Sequence, residues 1–406
     1  MAKAKKKAHP FRNLTLILVI IVALAWGYYY KTGQDPTGLV ERSKTTIENL
    51  LKKYLPIGDD KSDTKKSGPV TTPVSGSGDW WEVYFTDPHN HGDYKKIENS
   101  VAEKLIQYIN SAKKKIHIAS FEFNLTPVAE ALIAAKNKGV QVQWVTDNEH
   151  GLEADEEDGH GQFAMLQKAG IGVRADTRGA LMHNKFWIFD GEVVWTGSTN
   201  ITKNGMFRNN NNIIVLKSPA AAEIYEREFQ EMWGGSFGPK SQSDIEKQKL
   251  DLGGTPVQIL FAPEDNVPEV IIPILKSAEK SVKFMAFSFT HDGMGDALLS
   301  RMKAGVEVMG IFETRGSETK YSELGRLGKA GAMVRQDGNP RTFHHKVFIV
   351  DEKTVVTGSF NFSKNASESN DENMVIITHP EIAKQYLMEF DRRWAEANDP
   401  PKDVIM

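Results

Sequence analysis

One eighteen-residue pattern occurs twice in this chain, and the repeat restricts the possible folds more than any other sequence feature. The first copy runs from His183 to Asn200 and the second from His344 to Asn361. Histidine, lysine, aspartate, glycine, serine and asparagine recur at the same positions in both copies. The chain therefore contains two related units, and each supplies one copy of the same set of polar side chains.

The start of each copy has the spacing of a β-strand. Residues two apart on a strand point to the same face, so His183 and Lys185 should project together, as should His344 and Lys346. An apolar run follows the lysine in each copy, and a second short apolar run ends at a Gly-Ser pair. We therefore expect a hairpin that brings an imidazole, an ammonium, a hydroxyl and an amide together.

These four groups suit an oxyanion that is also attacked. Lysine supplies positive charge, serine and asparagine supply neutral donors, and histidine acts as nucleophile or proton donor near neutral pH. With two copies, one histidine can attack a phosphodiester while the other protonates the leaving oxygen. A metal site is less favoured, because the motif couples histidine to lysine rather than to further ligands. No cofactor is predicted.

The repeat therefore defines two sets of candidate site residues. The candidate catalytic residues within it are His183, Lys185, Asp190, His344, Lys346 and Asp351. The candidate phosphate-binding residues within it are Ser198, Asn200, Ser359 and Asn361. Either aspartate on its own is more typical of a turn than of a catalyst, and the repeat is what favours the catalytic interpretation.

Both copies resemble the signature of the phospholipase D superfamily, HxKx4Dx6GSxN, and match it in full. The segment that begins at Gly358 looks most like the small bacterial endonucleases and the mitochondrial cardiolipin hydrolases of that superfamily. The resemblance covers roughly residues 80–396. It implies two lobes that share one active site at their interface, a covalent phosphohistidine intermediate and no metal.

One difference between the copies bears on the roles of the histidines. In the endonuclease branch an acid follows the motif and orients a histidine, and the matching positions here are Glu372 and Asn211. The resemblance therefore adds Glu372 to the candidate catalytic residues and Asn211 to the candidate phosphate-binding residues. A carboxylate on the non-reacting ring nitrogen stabilises an imidazolium, whereas an asparagine only orients the ring. The resemblance implies attack by His183 and protonation by His344. The sequence leaves open which histidine Glu372 contacts, and a polar turn remains the alternative for the asparagines at 209–212.

The first thirty residues predict a membrane anchor. Residues 1–13 are basic, and residues 14–30 carry no charge and end in aromatic side chains. This pattern is typical of a single spanning helix whose basic flank stays in the cytoplasm. A cleaved signal peptide is the alternative, because residues 23–25 resemble a cleavage site. Either way the catalytic body is expected outside the cytoplasm, at the cell membrane or secreted, after a juxtamembrane spacer and flexible linker over residues 31–79.

Beyond this linker, strands alternate with helices, which favours an α/β sandwich in each unit. The predicted fold class is α/β, with two similar lobes that share one active site after an amino-terminal transmembrane helix. The expected boundaries are lobe 1 at 80–233, a linker at 234–254, lobe 2 at 255–396 and a tail at 397–406. The chain has no cysteine, which excludes disulfides and thiol catalysis.

The charge balance bears on the substrate. Acidic side chains outnumber basic ones in residues 80–406, although the preceding residues are basic. A protein that follows long nucleic acid usually presents a basic surface, so the preferred partner is a membrane, with a phospholipid phosphodiester as substrate. A metal-independent endonuclease of DNA or RNA and a phosphatidyl transferase of the cardiolipin synthase type remain open alternatives. No obligate protein partner is predicted.

Overall fold

The repeated motif corresponds to a repeated sheet in the computed structural model, which describes residues 75–406. Each half of these residues forms one eight-stranded sheet. The strands of the first sheet are β1 (Ser75–Ser77), β2 (Trp81–Phe85), β3 (Lys115–Ser120), β4 (Gln141–Thr146), β5 (Gly172–Ala175), β6 (Lys185–Phe189), β7 (Val193–Gly197) and β8 (Asn212–Lys217). The strands of the second sheet are β9 (Lys249–Asp251), β10 (Pro256–Ala262), β11 (Ser281–Ala286), β12 (Glu307–Phe312), β13 (Met333–Gln336), β14 (Lys346–Val350), β15 (Thr354–Gly358) and β16 (Glu372–Thr378).

The two sheets have the same topology. The first has the order β1-β2-β8-β7-β6-β3-β4-β5, and the second, read from its other edge, has the order β9-β10-β16-β15-β14-β11-β12-β13. In each sheet the last three strands of this order are parallel, and the motif hairpin pairs antiparallel with them. The predicted α/β class and the two similar lobes are therefore confirmed.

Helices cover the outer face of each sheet and fill the space between the sheets. Lobe 1 contains α1 (Pro88–His91), α2 (Val101–Ser111), α3 (Thr126–Asn137), α4 (Gln162–Lys168), α5 (Lys203–Phe207) and α6 (Pro219–Gly234). Lobe 2 contains α7 (Val267–Lys276), α8 (Asp292–Lys303), α9 (Glu323–Lys329), α10 (Lys364–Glu368), α11 (Pro380–Glu396) and α12 (Lys402–Ile405). Short turns of π- or 3-10-helix lie at Asn148–Glu153, Ala154–Glu156, Gly238–Lys240 and Ile245–Lys247.

Local sequence explains the helix boundaries. Helix α2 begins after Ser100, whose hydroxyl accepts a hydrogen bond from the Glu103 N–H, while the Glu103 carboxylate accepts one from the Asn99 N–H. The Ser100 hydroxyl thus caps one of the unpaired N–H groups at the start of the helix, and the Glu103 carboxylate fixes the residue that precedes the cap. Helix α3 is followed by Gly139 at a φ of +92°, a left-handed conformation that favours glycine.

One apolar core joins the two lobes. Side chains from the inner faces of both sheets pack with α6 and α11, which lie between them, and Tyr225 of α6 contacts Phe261 of β10 edge to face at 5.3 Å. Each sheet also has its own outer core beneath its covering helices. Because the inner core draws on both lobes, it sets the position of one lobe against the other, and hence of one motif against the other.

Several predicted boundaries shift in the structure. Strand β1 lies within the predicted spacer and pairs with β2, while β9 lies within the predicted linker and pairs with β10. In the predicted tail, Asn398 pairs with Gln336 and α12 packs on the outer core of lobe 2. Within residues 75–406, none of the helices has both the length and the apolar character needed to cross a bilayer. The predicted basic flank and anchor, at 1–30, lie outside the described residues.

The motif aspartates hold the fold rather than the substrate, which corrects their predicted catalytic role. Asp190 follows β6, and its carboxylate accepts hydrogen bonds from the backbone N–H groups of residues 113–115 at 2.7–3.1 Å. Asp351 does the same for residues 279–281 after β14. Burial by itself would raise the pKa of Asp351, but these backbone donors lower it. Five residues of strand separate Asp190 from Lys185, which is about 16 Å at 3.3 Å per residue.

We expect Asp190→Ala to lower stability and to spare catalysis. The substitution leaves three backbone N–H groups without their acceptor, and charge-assisted hydrogen bonds of this kind contribute about 1.5–3 kcal/mol each to stability. Urea unfolding should show a lower midpoint, while kcat/KM of the folded protein stays within about twofold of the native value. Asp351→Ala is the matched variant in lobe 2. A folded Asp190→Ala protein that loses catalysis would contradict this assignment.

Candidate active site

The two motif histidines meet where each lobe pairs its backbone with the other. The His183 N–H donates to the Asp371 carbonyl at 2.9 Å, and the His344 N–H donates to the Asn210 carbonyl at 2.8 Å. Each histidine lies two residues before the lysine that begins its motif strand. The two acceptors, Asp371 and Asn210, directly precede Glu372 and Asn211 in the chain. This reciprocal pairing across the lobes brings both copies of the motif to one site.

His183 is held by a carboxylate from the other lobe. Its Nδ1 lies 2.8 Å from Oε2 of Glu372. The same oxygen accepts a hydrogen bond from the Ser359 hydroxyl at 2.6 Å, and Asn370 donates to Oε1 at 3.4 Å. When Glu372 is ionised it only accepts hydrogen bonds, so in that state Nδ1 carries the proton. The free Nε2 is then available for attack.

His344 is held by neutral acceptors from the other lobe. Its Nδ1 lies 2.9 Å from the Ser198 carbonyl oxygen and 3.0 Å from Oδ1 of Asn211. Asn211 is fixed in turn, because the Ser198 hydroxyl donates to its Oδ1 at 2.8 Å and its amide nitrogen donates to the Gly205 carbonyl at 2.8 Å. Again Nδ1 must carry the proton, because a carbonyl oxygen only accepts. The two histidines are therefore oriented alike and differ in the charge behind them.

The motif lysines are buried, and each contacts the backbone of its own motif histidine. Lys185 Nζ donates to the His183 carbonyl at 2.8 Å, and Lys346 Nζ donates to the His344 carbonyl at 2.9 Å. Their side chains are 2% and 0% exposed. An ammonium has three donors, so two remain on each lysine for the oxygens of a bound phosphate. The two ammonium groups supply the positive charge that a phosphodiester transition state requires.

Two phenylalanines that the motif does not contain complete the site. Phe121 packs edge to face on His183, with 4.8 Å between ring centroids, and Lys185 Nζ lies 4.9 Å from its ring centroid. Phe287 does the same for His344 at 4.9 Å and for Lys346 at 4.8 Å. These rings fix the imidazoles and favour the lysine cations. Sequence reasoning missed their role, although an F-x-F pattern at both positions was the available signal.

Burial sets the protonation states. Burial, followed by the positive charge of Lys185 and Lys346, holds the pKa of His183 well below its usual value of 6.5. The pKa of His344 is lowered in the same way. Burial lowers the pKa of Lys185 to about 8, against the opposing effect of Glu372, and raises the pKa of Glu372 to about 7. A neutral His183 at ordinary pH is ready to act as a nucleophile.

The predicted phosphate-binding residues have other partners. Both Ser198 and Ser359 use their hydroxyls to hold the residues behind the histidines, and both accept an N–H from the final strand of their lobe. Asn211 holds His344. For these three residues we correct the predicted role from phosphate binding to positioning. Asn200 donates to the Glu122 carboxylate at 2.8 Å, and the Asn361 Oδ1 atom is buried without a partner among residues 75–406.

The glycine of each motif is required by a close approach of backbone. A Cβ atom on Gly197 would lie 2.2 Å from the Asn212 carbonyl oxygen, and one on Gly358 would lie 2.2 Å from that of Asn373. These asparagines also join the lobes through their side chains. Asn212 donates to Thr357 at 2.7 Å, and Asn373 accepts from Thr196 at 2.7 Å. Because each motif glycine has no side chain, the final strand of its lobe, which carries the asparagine, can lie directly against the motif hairpin.

A family model described as cardiolipin synthase, PLD-like domain, matches residues 105–233 and 271–394. One matched segment lies in each lobe, and each contains a full motif. Two similar sheets, a reciprocal histidine pair and this match define the class: the chain belongs to the phospholipase D-like family. The predicted family, and with it the class of phosphodiesterases to which its relatives belong, is confirmed.

Curated relatives match about a third of the chain. A mitochondrial cardiolipin hydrolase of Chlamydomonas reinhardtii is 31% identical over 120 residues, which are 30% of this chain and 54% of that protein. A phospholipase D of Rickettsia prowazekii is 30% identical over 148 residues, which are 36% of this chain and 72% of that protein. The chain thus spans between half and three quarters of the length of these two relatives.

Solved structures show the same similarity. Nuc of Salmonella typhimurium, a phospholipase D family member, is 34% identical over 36% of this chain and 99% of that chain, with a TM-score of 0.35. A phosphatidylserine synthase of Haemophilus influenzae matches 72% of this chain and 83% of that chain, with a TM-score of 0.53 and 16% identity. The second likeness shows that the two-lobed fold is shared.

We expect Asn211→Asp to move the pH profile of catalysis. A carboxylate placed against Nδ1 of His344 favours the imidazolium and raises its pKa. If His344 acts as the proton donor, activity is lost as pH rises through that pKa, so a raised pKa moves the alkaline limb of kcat/KM to higher pH. We expect a shift of about one unit, equivalent to about 1.4 kcal/mol, measured with a soluble phosphodiester.

Glu372→Gln is the matched variant on the other histidine. It keeps an acceptor near Nδ1 of His183 but removes the negative charge, so kcat should fall on the order of 10²–10⁴-fold. The alkaline limb should stay within about 0.3 units of its native position. If both variants moved the same limb, the two histidines would not have separate roles.

Proposed function

We propose that the protein hydrolyses a phosphodiester bond of phospholipids through a covalent phosphohistidine at His183, with His344 as the general acid. The observation that carries this proposal is the unequal support of two otherwise equivalent histidines. The Glu372 carboxylate lies 2.8 Å from Nδ1 of His183, whereas His344 has the neutral oxygens of Ser198 and Asn211. A phosphorylated imidazole carries positive charge, and only His183 has an anion behind it.

In the first step Nε2 of His183 attacks phosphorus. The negative charge of the bound phosphodiester favours the imidazolium form of His344, which carries a proton on each ring nitrogen. A nitrogen–phosphorus bond forms, the bond from phosphorus to the leaving oxygen breaks, and the His344 imidazolium gives its Nε2 proton to that oxygen. The Lys185 and Lys346 ammonium groups offset the charge that develops on the non-bridging oxygens. Glu372 stabilises the positive imidazole through the Nδ1 proton.

In the second step water enters where the alcohol has left. His344, now neutral at Nε2, takes a proton from the water as its oxygen bonds to phosphorus. The nitrogen–phosphorus bond breaks, and the electron pair returns to Nε2 of His183. The product is a phosphomonoester, and both histidines regain their starting protonation. An alcohol in place of water would give the transferase reaction by the same step.

A lipid substrate is favoured by charge and by similarity. Acidic side chains exceed basic ones in residues 80–406, whereas enzymes that follow nucleic acid need cations along its path. Two of the relatives above are named cardiolipin hydrolase and phospholipase D. The proposed anchor over residues 14–30, which rests on sequence pattern, would keep the site near lipid head groups on the extracytoplasmic side.

We expect the full chain, in EDTA, to release head group or phosphatidate from vesicles of phosphatidylcholine and cardiolipin. His183→Ala should lower turnover by at least about 10⁴-fold, because the attacking nitrogen is absent. Supercoiled plasmid is offered in parallel. His183-dependent plasmid nicking without lipid turnover would replace the lipid proposal with a nuclease, and activity that requires a divalent ion would contradict the mechanism.

The covalent step has its own test with bis(p-nitrophenyl) phosphate. Its leaving group departs without protonation, so His344→Ala should still form the phosphohistidine but should hydrolyse it slowly. Mass spectrometry should find the adduct on the peptide that contains His183. His183→Ala provides the matched control and should carry no adduct. An adduct on His344 in the native protein would reverse the two roles.

A further inference from the structure

An exposed tyrosine and a group of cations lie on the loops that border the His344 half of the site. We define the lobe 2 rim as residues 314–321, which follow β12, together with Arg341, which follows β13. Tyr321 is 69% exposed, and Lys320 Nζ lies 5.0 Å from its ring centroid. Among residues 75–406, only the terminal Met406 is a more exposed large apolar side chain. Tyr321 thus presents an aromatic ring at the surface directly beside a cationic side chain.

The lobe 2 rim is joined directly to the catalytic segment. The Arg315 guanidinium donates to the Thr342 hydroxyl at 3.0 Å and to the Arg341 carbonyl, and Thr342 lies two residues before His344. Strands β12 and β13 are parallel, so the loops that follow them leave the same edge of the sheet. A ligand bound by the lobe 2 rim is therefore held beside His344, the proposed proton donor.

The corresponding loop of lobe 1 is strongly acidic, whereas the lobe 2 rim has three cationic side chains and one carboxylate, Glu318. Residues 149–158, which follow β4, carry six carboxylates and no lysine or arginine. Their one stacking contact with the site is His150, whose ring centroid lies 5.0 Å from that of Phe121. A long polyanion that crosses the site would have to pass both loops and would be repelled by the acidic one. A bilayer can instead be met by the lobe 2 rim alone.

We propose that the lobe 2 rim docks on an anionic lipid bilayer, with Tyr321 at the head-group level and with Lys320 and Arg341 against lipid phosphates. Arg315 holds the rim in place instead, because its guanidinium is paired with Glu313 at 2.8 Å. This inference rests on the proposed lipid substrate and names the surface that delivers it. Tyrosine favours the membrane interface because its ring is apolar and its hydroxyl is polar. Lysine and arginine near the surface are attracted by anionic lipid. Arg341 and Lys320 are exposed and form no ion pair within residues 75–406, so both are available for this contact.

Contact with lipid can be tested at one atom because the chain has no cysteine. Tyr321→Cys is introduced into the full chain, labelled with an environment-sensitive fluorophore and reconstituted in phosphatidylglycerol/phosphatidylcholine vesicles that contain nitroxide-labelled lipid. We expect quenching and a blue shift. Met388→Cys is the matched control, since Met388 is 49% exposed on α11. If anchoring alone brought the protein near lipid, both labels would respond equally, and that result would overturn the proposal.

A kinetic test separates docking from catalysis. The double variant Lys320→Ala/Arg341→Ala should lower turnover of phosphatidylglycerol-containing vesicles on the order of 20-fold, because each cation near an anionic surface contributes about fivefold. Turnover of bis(p-nitrophenyl) phosphate should change less than twofold. Lys276→Ala/Lys303→Ala is the control, since Lys303 precedes β12 and so lies toward the other edge of the sheet. Its vesicle turnover should stay native.

The outcomes distinguish this inference from the proposed function. A native protein that fails to cleave even the soluble diester would contradict the proposed chemistry, whatever the rim does. Soluble turnover with no loss on vesicles in the double variant would overturn the docking surface alone. A loss confined to plasmid nicking would assign the rim to nucleic acid and would also overturn it.

Discussion

The site depends on a carboxylate of one lobe buried against a histidine of the other. Glu372 is 0% exposed and lies against His183, in a region that also holds two buried ammonium groups. Burying an ionised group away from water costs several kcal/mol unless other groups compensate. The Ser359 hydroxyl and the positive charge of Lys185 supply that compensation. Because these partners come from both lobes, neither lobe on its own contains a complete site.

The fold produces near symmetry and the sequence then breaks it at a few points. Backbone pairing, the glycine contacts and the phenylalanine rings are the same on both sides of the interface. Two of these differences are Glu372 opposite Asn211, and the acidic loop of lobe 1 opposite the lobe 2 rim. Attack on phosphorus requires a neutral histidine, whereas protonation of the leaving oxygen requires a charged one. The two histidines therefore need the same placement but different neighbours. A duplicated lobe supplies the geometry, and single substitutions supply the difference.

The interior between the lobes explains why the two halves cannot shift independently. Helices α6 and α11 pack between the sheets, and Asn212 and Asn373 bond across the interface to Thr357 and Thr196. Buried amides of this kind are costly to leave unpaired, so these two bonds favour this arrangement of the lobes. That same arrangement places each histidine against its partner from the other lobe.

The sequence by itself determined the α/β class, the two lobes and the two His-Lys pairs, because these follow from local periodicity and from an internal repeat with the motif residues at identical spacing. Most strands and helices were also predictable, since alternating apolar runs and glycine stops are local signals. The partner of Glu372, the positioning roles of Ser198 and Asn211, the structural role of Asp190 and the packing of Phe121 were decided only by the tertiary structure. In each case the decisive neighbour lies far away in the chain, and only the packing of strands and lobes brings it within hydrogen-bond or van der Waals distance.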